Sequence, residues 1–469
     1  MCLAECTLEA AGGEPELVTA WWKRPQAVAW GLFIGLVLVY NSNGRETPTY
    51  DSYPTKYAAR ELALYGRLTL DKVVARAPDY GGRTAFQLDR HGHYRSAYSV
   101  VPSIEAAIPA ALLHVTGLVD LRAPLAPSLI AKLTASLLTA ASVALVFAAL
   151  ARTFGIQTSG LVAVGLGLGT NLWPLASGTL WQLETVSVGL AIALYGWFRP
   201  RDTLHVRWVV VGAAGLALAA SARPQIAPIA AVLLAGLGAR VGLRRSMGAI
   251  AVVGAAAVVL MSCQWWWFGD VLGATPALQA QNLAAHAVTG TLNPQPWAGA
   301  AGLLFSPNRG LITFSPVVLV ALVGIPMAWR RPSLHGERWW GAAAIVQFVC
   351  YSYYSMWWGG HTYGPRYLVD VLIPLAPAAA VGVGWVTARR WRRIPALVAL
   401  VLSILVAATG SYCYPHDGWN TDPSVDFHHE RIWDWRDLQV VRCWRNGPSP
   451  QNFTLFAWAA VRRDRTGGL

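Results

Sequence analysis

Residues 41–71, NSNGRETPTYDSYPTKYAARELALYGRLTLD, follow directly on the apolar run AVAWGLFIGLVLVY at 27–40. Pro54 suits a first helical turn, Ala58, Leu62 and Tyr65 recur at i, i+4 and i+7, and Gly66 is placed to end the helix. The stretch therefore predicts an amphipathic helix lying along a membrane surface, entered through Arg45, Glu46 and Asp51. A span that opens at once onto charges and a surface helix begins a long external loop, not a tight turn between two crossings.

The rest of the chain fits that reading. Its 469 residues are 55% hydrophobic and 13% charged, against roughly one-quarter charged in soluble domains, so the protein is polytopic and membrane-embedded. The formal charge of +13 sits in short Arg clusters between apolar runs, where it reports topology and implies no nucleic-acid partner. Many of the 23 tryptophans fall at the ends of apolar runs, as at Trp265–Trp267 and Trp357–Trp358, marking the water–lipid boundary.

Runs long enough to cross about 30 Å of hydrocarbon lie near 26–41, 126–151, 158–175, 180–198, 208–222, 224–239, 246–266, 311–329, 339–357, 367–388 and 395–411, about eleven helices. The two short runs flanking Arg223-Pro224 could equally form a shallow hairpin. With alternating spans, Arg201 and Arg207, Arg240 with Arg244-Arg245, Arg330-Arg331, and Arg389-Arg390 with Arg392-Arg393 share one side, the cytoplasmic one, and Lys23-Arg24 agree. No small-x-small site follows the first run, so it reads as a retained signal anchor. The N-terminus is then inside and the C-terminus outside. The apolar segment VVPSIEAAIPAALLHVTG at 100–117 would invert that order if it spanned, so it is expected on the outer leaflet, within a first external loop covering about 41–125. The expected organisation is an all-α transmembrane domain over 1–410 and a small external tail over 411–469.

Six cysteines are too few for a disulfide scaffold. Cys2 and Cys6 read as internal free thiols and Cys263 and Cys350 as packing residues, while the two external ones, Cys413 and Cys443, read equally as a bridge or as separate thiols.

Charges within spans are costly, about 2.5–3.5 kcal/mol near the bilayer centre on insertion scales. Lys132, Glu184, Arg223 and Asp370 all fall near the expected outer ends of their helices, which suits an outward-facing polar cavity. A transporter would place such groups at the midplane on repeated halves, and no internal repeat is evident. Two external turns point to the same cavity: GLLFSPNRGLITFSP at 302–316, with Arg309, and WWGGHTYGPRYLVD at 357–370, with His361, Tyr363 and Arg366. Both arginines enter a helix beside Gly and Pro, a setting that suits phosphate, and they are expected to converge on one pocket; the plainer alternative makes them anchors for lipid head groups. Asp51 likewise reads equally as a base or as a charge at a helix N-terminus. DRHGH (Asp89, His91, His93) and DFHHE (Asp426, His428, His429, Glu430) contain metal-ligand types without zinc-site spacing and read as solvated loops.

The ordered set of TYDSYPTKYAARELALYGRLTLD (49–71), SGTLWQLETVSVGL (177–190), ARPQ (222–225), GLLFSPNRGLITFSP and WWGGHTYGPRYLVDVLIP (357–374) resembles the GT-C superfamily of membrane glycosyltransferases, in particular bacterial members that use polyprenyl-phosphate sugars. The resemblance extends to about residue 375. Related sequences often read Trp-Gln-His-Gly where this chain has Trp181-Gln182-Leu183-Glu184, so a role of that His could not be performed by Leu183. The resemblance implies an inverting transferase in the bacterial cytoplasmic membrane with its site on the external face. A polyprenyl-phosphate sugar is the implied donor, and a glycan, lipid or protein the acceptor. Asp51 or Glu46 would serve as the base, and Arg309, Arg366, Arg223 and Lys56 would hold the departing phosphate, within a pocket shared with Glu184, His361, Tyr363, Trp181 and Lys132. No cofactor is assigned, and assistance by a divalent metal, Mg or Mn, stays open. A lipid or polysaccharide transporter and a non-catalytic scaffold are the alternatives from other classes.

Overall fold

The computed structural model describes residues 24–47, 49–77, 79, 84–199, 204–286, 288–331 and 335–459. Cys2, Cys6, Lys23 and Arg201 lie outside the described residues. The chain is all-helical apart from one short hairpin. In order it runs α1 (Pro25–Asn41), α2 (Ser52–Tyr65), α3 (Asp71–Arg76), the strands β1 (Phe86–Leu88) and β2 (Tyr94–Ser96), α4 (Val101–Val115), α5 (Ala126–Leu168), α6 (Leu183–Trp197), α7 (Val206–Ala222), α8 (Ala227–Val241) and α9 (Leu243–Phe268). There follow α10 (Thr275–Ala285), α11 (Pro296–Phe305), α12 (Leu311–Phe314), α13 (Val318–Arg330), α14 (His335–Ser352), α15 (Val369–Thr387), α16 (Arg390–Cys413) and α17 (Gln439–Asn446).

Each expected span falls on helix. Among the described residues, five helical stretches are long and apolar enough to cross a membrane: Ala126–Leu168, Pro224–Val241, Leu243–Phe268, Arg366–Thr387 and Arg390–Cys413. The runs 126–151 and 158–175 meet in α5, which kinks at Gly155 (φ 75°, ψ 170°). The run 311–329 is broken between α12 and α13 around Ser315-Pro316. Where α6 crosses α7 the backbones meet at glycines: a Cβ on Gly189 would lie 2.6 Å from the Gly215 carbonyl oxygen, and one on Gly215 2.5 Å from that of Gly189. Small residues at such a crossing let dispersion replace a hydrophobic drive that lipid cannot supply.

The first loop is built much as its sequence suggests. α2 ends at Gly66 in the left-handed region (φ 66°), whose N–H donates to Leu62 O. α4 is 15 residues, about 22 Å. It packs on α2, with Ser103 Oγ donating to Thr55 O (2.9 Å), and turns Ile104, Ile108, Leu112 and Val115 outward in an i, i+4 stripe. The hairpin β1–β2 pairs Phe86 with Ser96 and Leu88 with Tyr94.

The Arg-rich ends lie far along the bundle from this loop. Arg240 ends α8, which starts just after Arg223, and Arg389-Arg390 follow α15, which starts just after Arg366. The segment after Ser411 is stitched back onto the body: Arg45 Nη2 donates to Ser411 O (2.9 Å) and Tyr414 O (2.7 Å), and Phe453 N to Asn43 O (2.8 Å). A disulfide joins Cys413 at the end of α16 to Cys443 in α17 (Cα–Cα 5.6 Å).

Candidate functional site

A cavity of about 340 Å³ lies between the first loop, α6, α7, α9, α10 and the start of α15. Of the residues expected to form a site, Asp51, Trp181, Arg223 and Arg366 line it. Asp51 stands immediately before α2, but its side chain makes no capping hydrogen bond. Its Oδ2 instead lies 3.6 Å from Arg366 Nη1, and the half-buried Tyr98 lines the same cavity beside it. Burial, and then the neighbouring Asp51 charge, hold that phenol well above its ordinary pKa, so Tyr98 is a neutral donor.

Arg366 owes its place to the turn before α15. Gly359, Gly360 and Gly364 all have positive φ. At Gly364 (φ 66°) a side chain would be both strained and blocked, since a Cβ would lie 2.5 Å from the Phe314 ring. The guanidinium then stacks between Trp181 (4.7 Å to the ring centroid) and Tyr367 (5.2 Å). Beside it Arg223, in extended conformation between α7 and Pro224, pairs with Asp370 at 2.9 Å. Asp370 also accepts the Tyr351 hydroxyl. The site thus holds one carboxylate and two guanidiniums of which only Arg223 has a close ionic partner.

The two ends of the cavity differ. Asp51, Tyr98, Ser99, Gln182, Arg223 and Arg366, with Gln264 near the end of α9 and Gln279 and Asn282 of α10, line it at the loop ends of the helices, while Ala217 and Ala220 of α7 with Val253, Ala257 and Leu260 line it farther along α7 and α9. α9 buries only Ser246 and Ala249 along its 26 residues, and Ala257 is itself exposed, so the apolar end opens on the lipid-facing side.

The remaining candidates are held elsewhere. Arg309 is fully buried, and its guanidinium donates to Trp358 O (2.9 Å), Asn308 O (2.7 Å), Gly360 O (3.1 Å), Asn420 Oδ1 (2.6 Å) and Gln439 Oε1 (3.3 Å). It does not line the cavity, so the expected convergence of Arg309 and Arg366 on one pocket is corrected: Arg309 fastens the turn from which Arg366 projects. Asn420 and Gln439 reinforce the same turn by donating to Thr362 O. Tyr363 is buried with its hydroxyl on Val406 O (2.8 Å), away from the cavity. Glu46 is locked between Lys56 Nζ (2.6 Å) and Thr179 Oγ1 (2.7 Å), and Lys132 donates to Ser177 O (3.0 Å). These three charges form a buried network behind the cavity and not its lining. Glu184 is buried beside Glu105 of α4, which accepts from Thr185, whereas Leu183 does reach the cavity. His361 sits outside on Asp426 (2.9 Å), which also meets His286 (3.2 Å).

Tyr98, Gln182, Tyr367 and Asp370 belong to the site or its immediate support and were not among the expected site residues. Asp370 is marked in the sequence as one of four charges within spans, and its pairing with Arg223 is visible only in the structure; Tyr98 carries no sequence signal. Among the described residues no group of three or more His, Cys, Asp or Glu could hold a metal ion, and no step below is routed through one.

Solved structures of one membrane protein are among those that resemble this one. ArnT from Cupriavidus metallidurans bound to undecaprenyl phosphate aligns with a TM-score of 0.45 at 15% identity, covering 94% of this chain and 78% of that one. The same protein in the apo state aligns with a TM-score of 0.42 at 14% identity, over 92% and 76%. No family model matches the sequence, and no curated protein does.

Proposed function

We propose that the protein is a membrane glycosyltransferase that moves a sugar from a polyprenyl-phosphate donor to an acceptor hydroxyl at the external face of the bacterial cytoplasmic membrane, with the N-terminus inside and the C-terminus outside. The observation that carries this reading is the two-ended cavity. A carboxylate and two guanidiniums share its polar end, and its apolar end opens on lipid between α7 and α9. An amphiphile with an anionic head and a hydrocarbon tail matches both ends at once.

In the proposed reaction the acceptor hydroxyl oxygen attacks the anomeric carbon as the bond from that carbon to the phosphate oxygen breaks, inverting the centre. Asp51 takes the hydroxyl proton, Arg366 and Arg223 receive the charge developing on the phosphate, and Trp181 with Tyr367 keep the Arg366 plane fixed. The acceptor, whether glycan, lipid or protein, enters from the polar side. A divalent metal is not needed for this balance.

The test is purified protein incubated with radiolabelled polyprenyl-phosphate sugars and membrane extract. Asp51→Asn should lower transfer about 10²–10⁴-fold, the usual cost of losing a positioned base, with donor binding and thermal stability retained. No transfer or donor hydrolysis from any donor in the wild type would favour the scaffold reading, in keeping with the apolar Leu183 that lines this cavity.

A further inference from the structure

A second cavity, also of about 340 Å³, lies well away from the first, between the latter part of α5, the start of α13, α15 and the first turns of α16. All its lining side chains are apolar except Thr170, Thr387 and Arg393. Both threonine hydroxyls are already bonded to carbonyls of their own segments, Thr170 to Leu166 O (2.5 Å) and Thr387 to Val383 O (2.9 Å). Arg393 is therefore the one charge on the wall. Leu397, also lining it, is 60% exposed on the outer face of α16, so the groove is open to the bilayer.

The charge around the mouth is one-sided. Arg389, Arg390 and Arg393 are exposed, and residues 385–396 include no acid. Arg393 donates to Thr387 O through Nε (3.3 Å) and Nη2 (2.7 Å), which orients it at the rim. Arg392 is folded back over Trp385 (3.8 Å to the ring centroid), and Trp391 is 63% exposed, an aromatic pair of the kind that sits at head-group level. α15 separates this mouth from Arg366 by 19 helical residues, about 28 Å, so the arginine rim lies at the end of α15 opposite Arg366.

We infer that the α5/α13/α15/α16 groove binds an anionic diacyl phospholipid drawn from the leaflet opposite the Asp51 cavity, with an acyl chain in the groove and the phosphate on Arg393, Arg389 and Arg390. Charge complementarity selects this occupant: an apolar slot ending in three exposed guanidiniums without a neighbouring acid favours a net-negative head over a zwitterionic one. The polyprenyl donor is a poor fit, because its phosphate here would lie about 28 Å from the Arg366 end of α15. The bound lipid would brace α15 against α13 and α16, and α15 is the helix that presents Asp370 and follows Arg366.

The test is native mass spectrometry of the full-length protein in non-ionic detergent, titrated with phosphatidylglycerol or phosphatidylcholine of identical acyl chains. Wild type should retain phosphatidylglycerol preferentially. Arg393→Gln should weaken that retention about fivefold, the worth of one arginine near an anionic head group, and Arg389→Gln with Arg390→Gln should weaken it further. Ala379→Phe, which fills the groove from its half-buried wall, should reduce retention of both lipids; should that variant not fold, Leu397→Ala at the exposed rim with Arg393→Gln still decides the matter. Equal retention of the two lipids by wild type, or phosphatidylglycerol retention unchanged in the folded variants, would overturn the inference. So would competitive displacement of phosphatidylglycerol by polyprenyl phosphate, which would make the groove a donor site.

Discussion

Two turns of this chain look alike in sequence and differ entirely in structure. Each places an arginine beside Gly and Pro at the entrance to a helix, Arg309 in SPNRG and Arg366 in YGPRY. Arg309 is 0% exposed and donates to five oxygens, three of them backbone carbonyls. Arg366 keeps about a fifth of its side chain exposed, touches one carboxylate at 3.6 Å, and is otherwise bounded by aromatic faces. An arginine whose donors are all engaged is a fastener. One packed for position but with hydrogen-bonding capacity in hand can receive a phosphate.

The difference is sharpest under substitution, and the largest effect belongs to Arg309. Arg309→Met would strand the side chains of Asn420 and Gln439 together with the Trp358 and Gly360 carbonyls, and removing one partner from such a buried charged network costs about 3–5 kcal/mol. Folded protein should fall steeply, as read by monodisperse yield in detergent. Arg309→Lys should recover little, since one ammonium cannot span five acceptors. Normal yield in either variant would mean that the turn does not depend on this network.

Arg366→Lys is the counterpart. The protein should fold and melt close to wild type, while transfer falls by about 10–10³-fold, as when one preorganised donor is removed from a transition-state site. Donor binding should also weaken, because the flexible ammonium loses the stacked plane between Trp181 and Tyr367. An Arg366→Lys variant with wild-type donor affinity and rate would place Arg366 with Arg309 among the structural residues.

How much of this contrast was legible in the sequence follows from where the deciding partners lie. The apolar runs and the helix ending at Gly66 are local properties, fixed by hydropathy, periodicity and a positive-φ glycine, and they could be read directly. The assignment of Arg309 could not, because its partners Asn420 and Gln439 lie more than a hundred residues away in a segment with no motif. The hairpin at 86–96 and the helices α10 and α11 were missed because short elements between polar loops give little period. Four of the eleven expected site residues line the cavity; the others are costly charges or conspicuous turns in the sequence, but a buried cation is neutralised as readily by carbonyls or an acid behind the site as by a ligand within it.

The two first-loop carboxylates allow a smaller version of the same comparison. Glu46 is buried and paired with Lys56 at 2.6 Å, and Asp51 is partly exposed to the cavity. Glu46→Gln keeps a hydrogen-bonding shape but leaves Lys56 without its counter-charge, so thermal stability should drop by about 1–3 kcal/mol while the rate of the folded fraction stays within severalfold of wild type. The reverse pattern, a dead but stable Glu46→Gln with an active Asp51→Asn, would assign the base to Glu46.

The smallest expected effect concerns the external clasp that the DFHHE segment forms. Asp426 accepts from His286 at 3.2 Å and His361 at 2.9 Å, joining the tail to the end of α10, and α10 supplies Leu278, Gln279 and Asn282 to the cavity that Asp51 and Arg366 line. Hydrogen bonding to Asp426 raises the His286 pKa, against opposing burial and the more distant Arg366 charge, while burial opposes but does not prevent a lowering of Asp426 by the two histidines. The signs set the window. The His286 contribution is complete below the unfolded His value of about 6.5 and fades as pH climbs through the raised folded value, and that of Asp426 is complete above about 3.9 and fades only as pH falls through its depressed one. His429, also close to Asp426, is lowered by burial, so its own contribution runs the other way, rising as pH climbs toward about 6.5; it is common to wild type and variant and cancels in their difference. The melting temperature of wild type should therefore exceed that of His286→Gln by the widest margin near pH 5–6, by a few degrees at most because the pair is partly solvated, and the gap should close toward pH 8–9. The donor KM of wild type should rise over the same interval as the α10 wall loosens. A gap that stays constant from pH 5 to 9 would show that His286 holds Asp426 as a neutral hydrogen-bond donor, and the clasp would then join Arg309 as a fixed part of the frame.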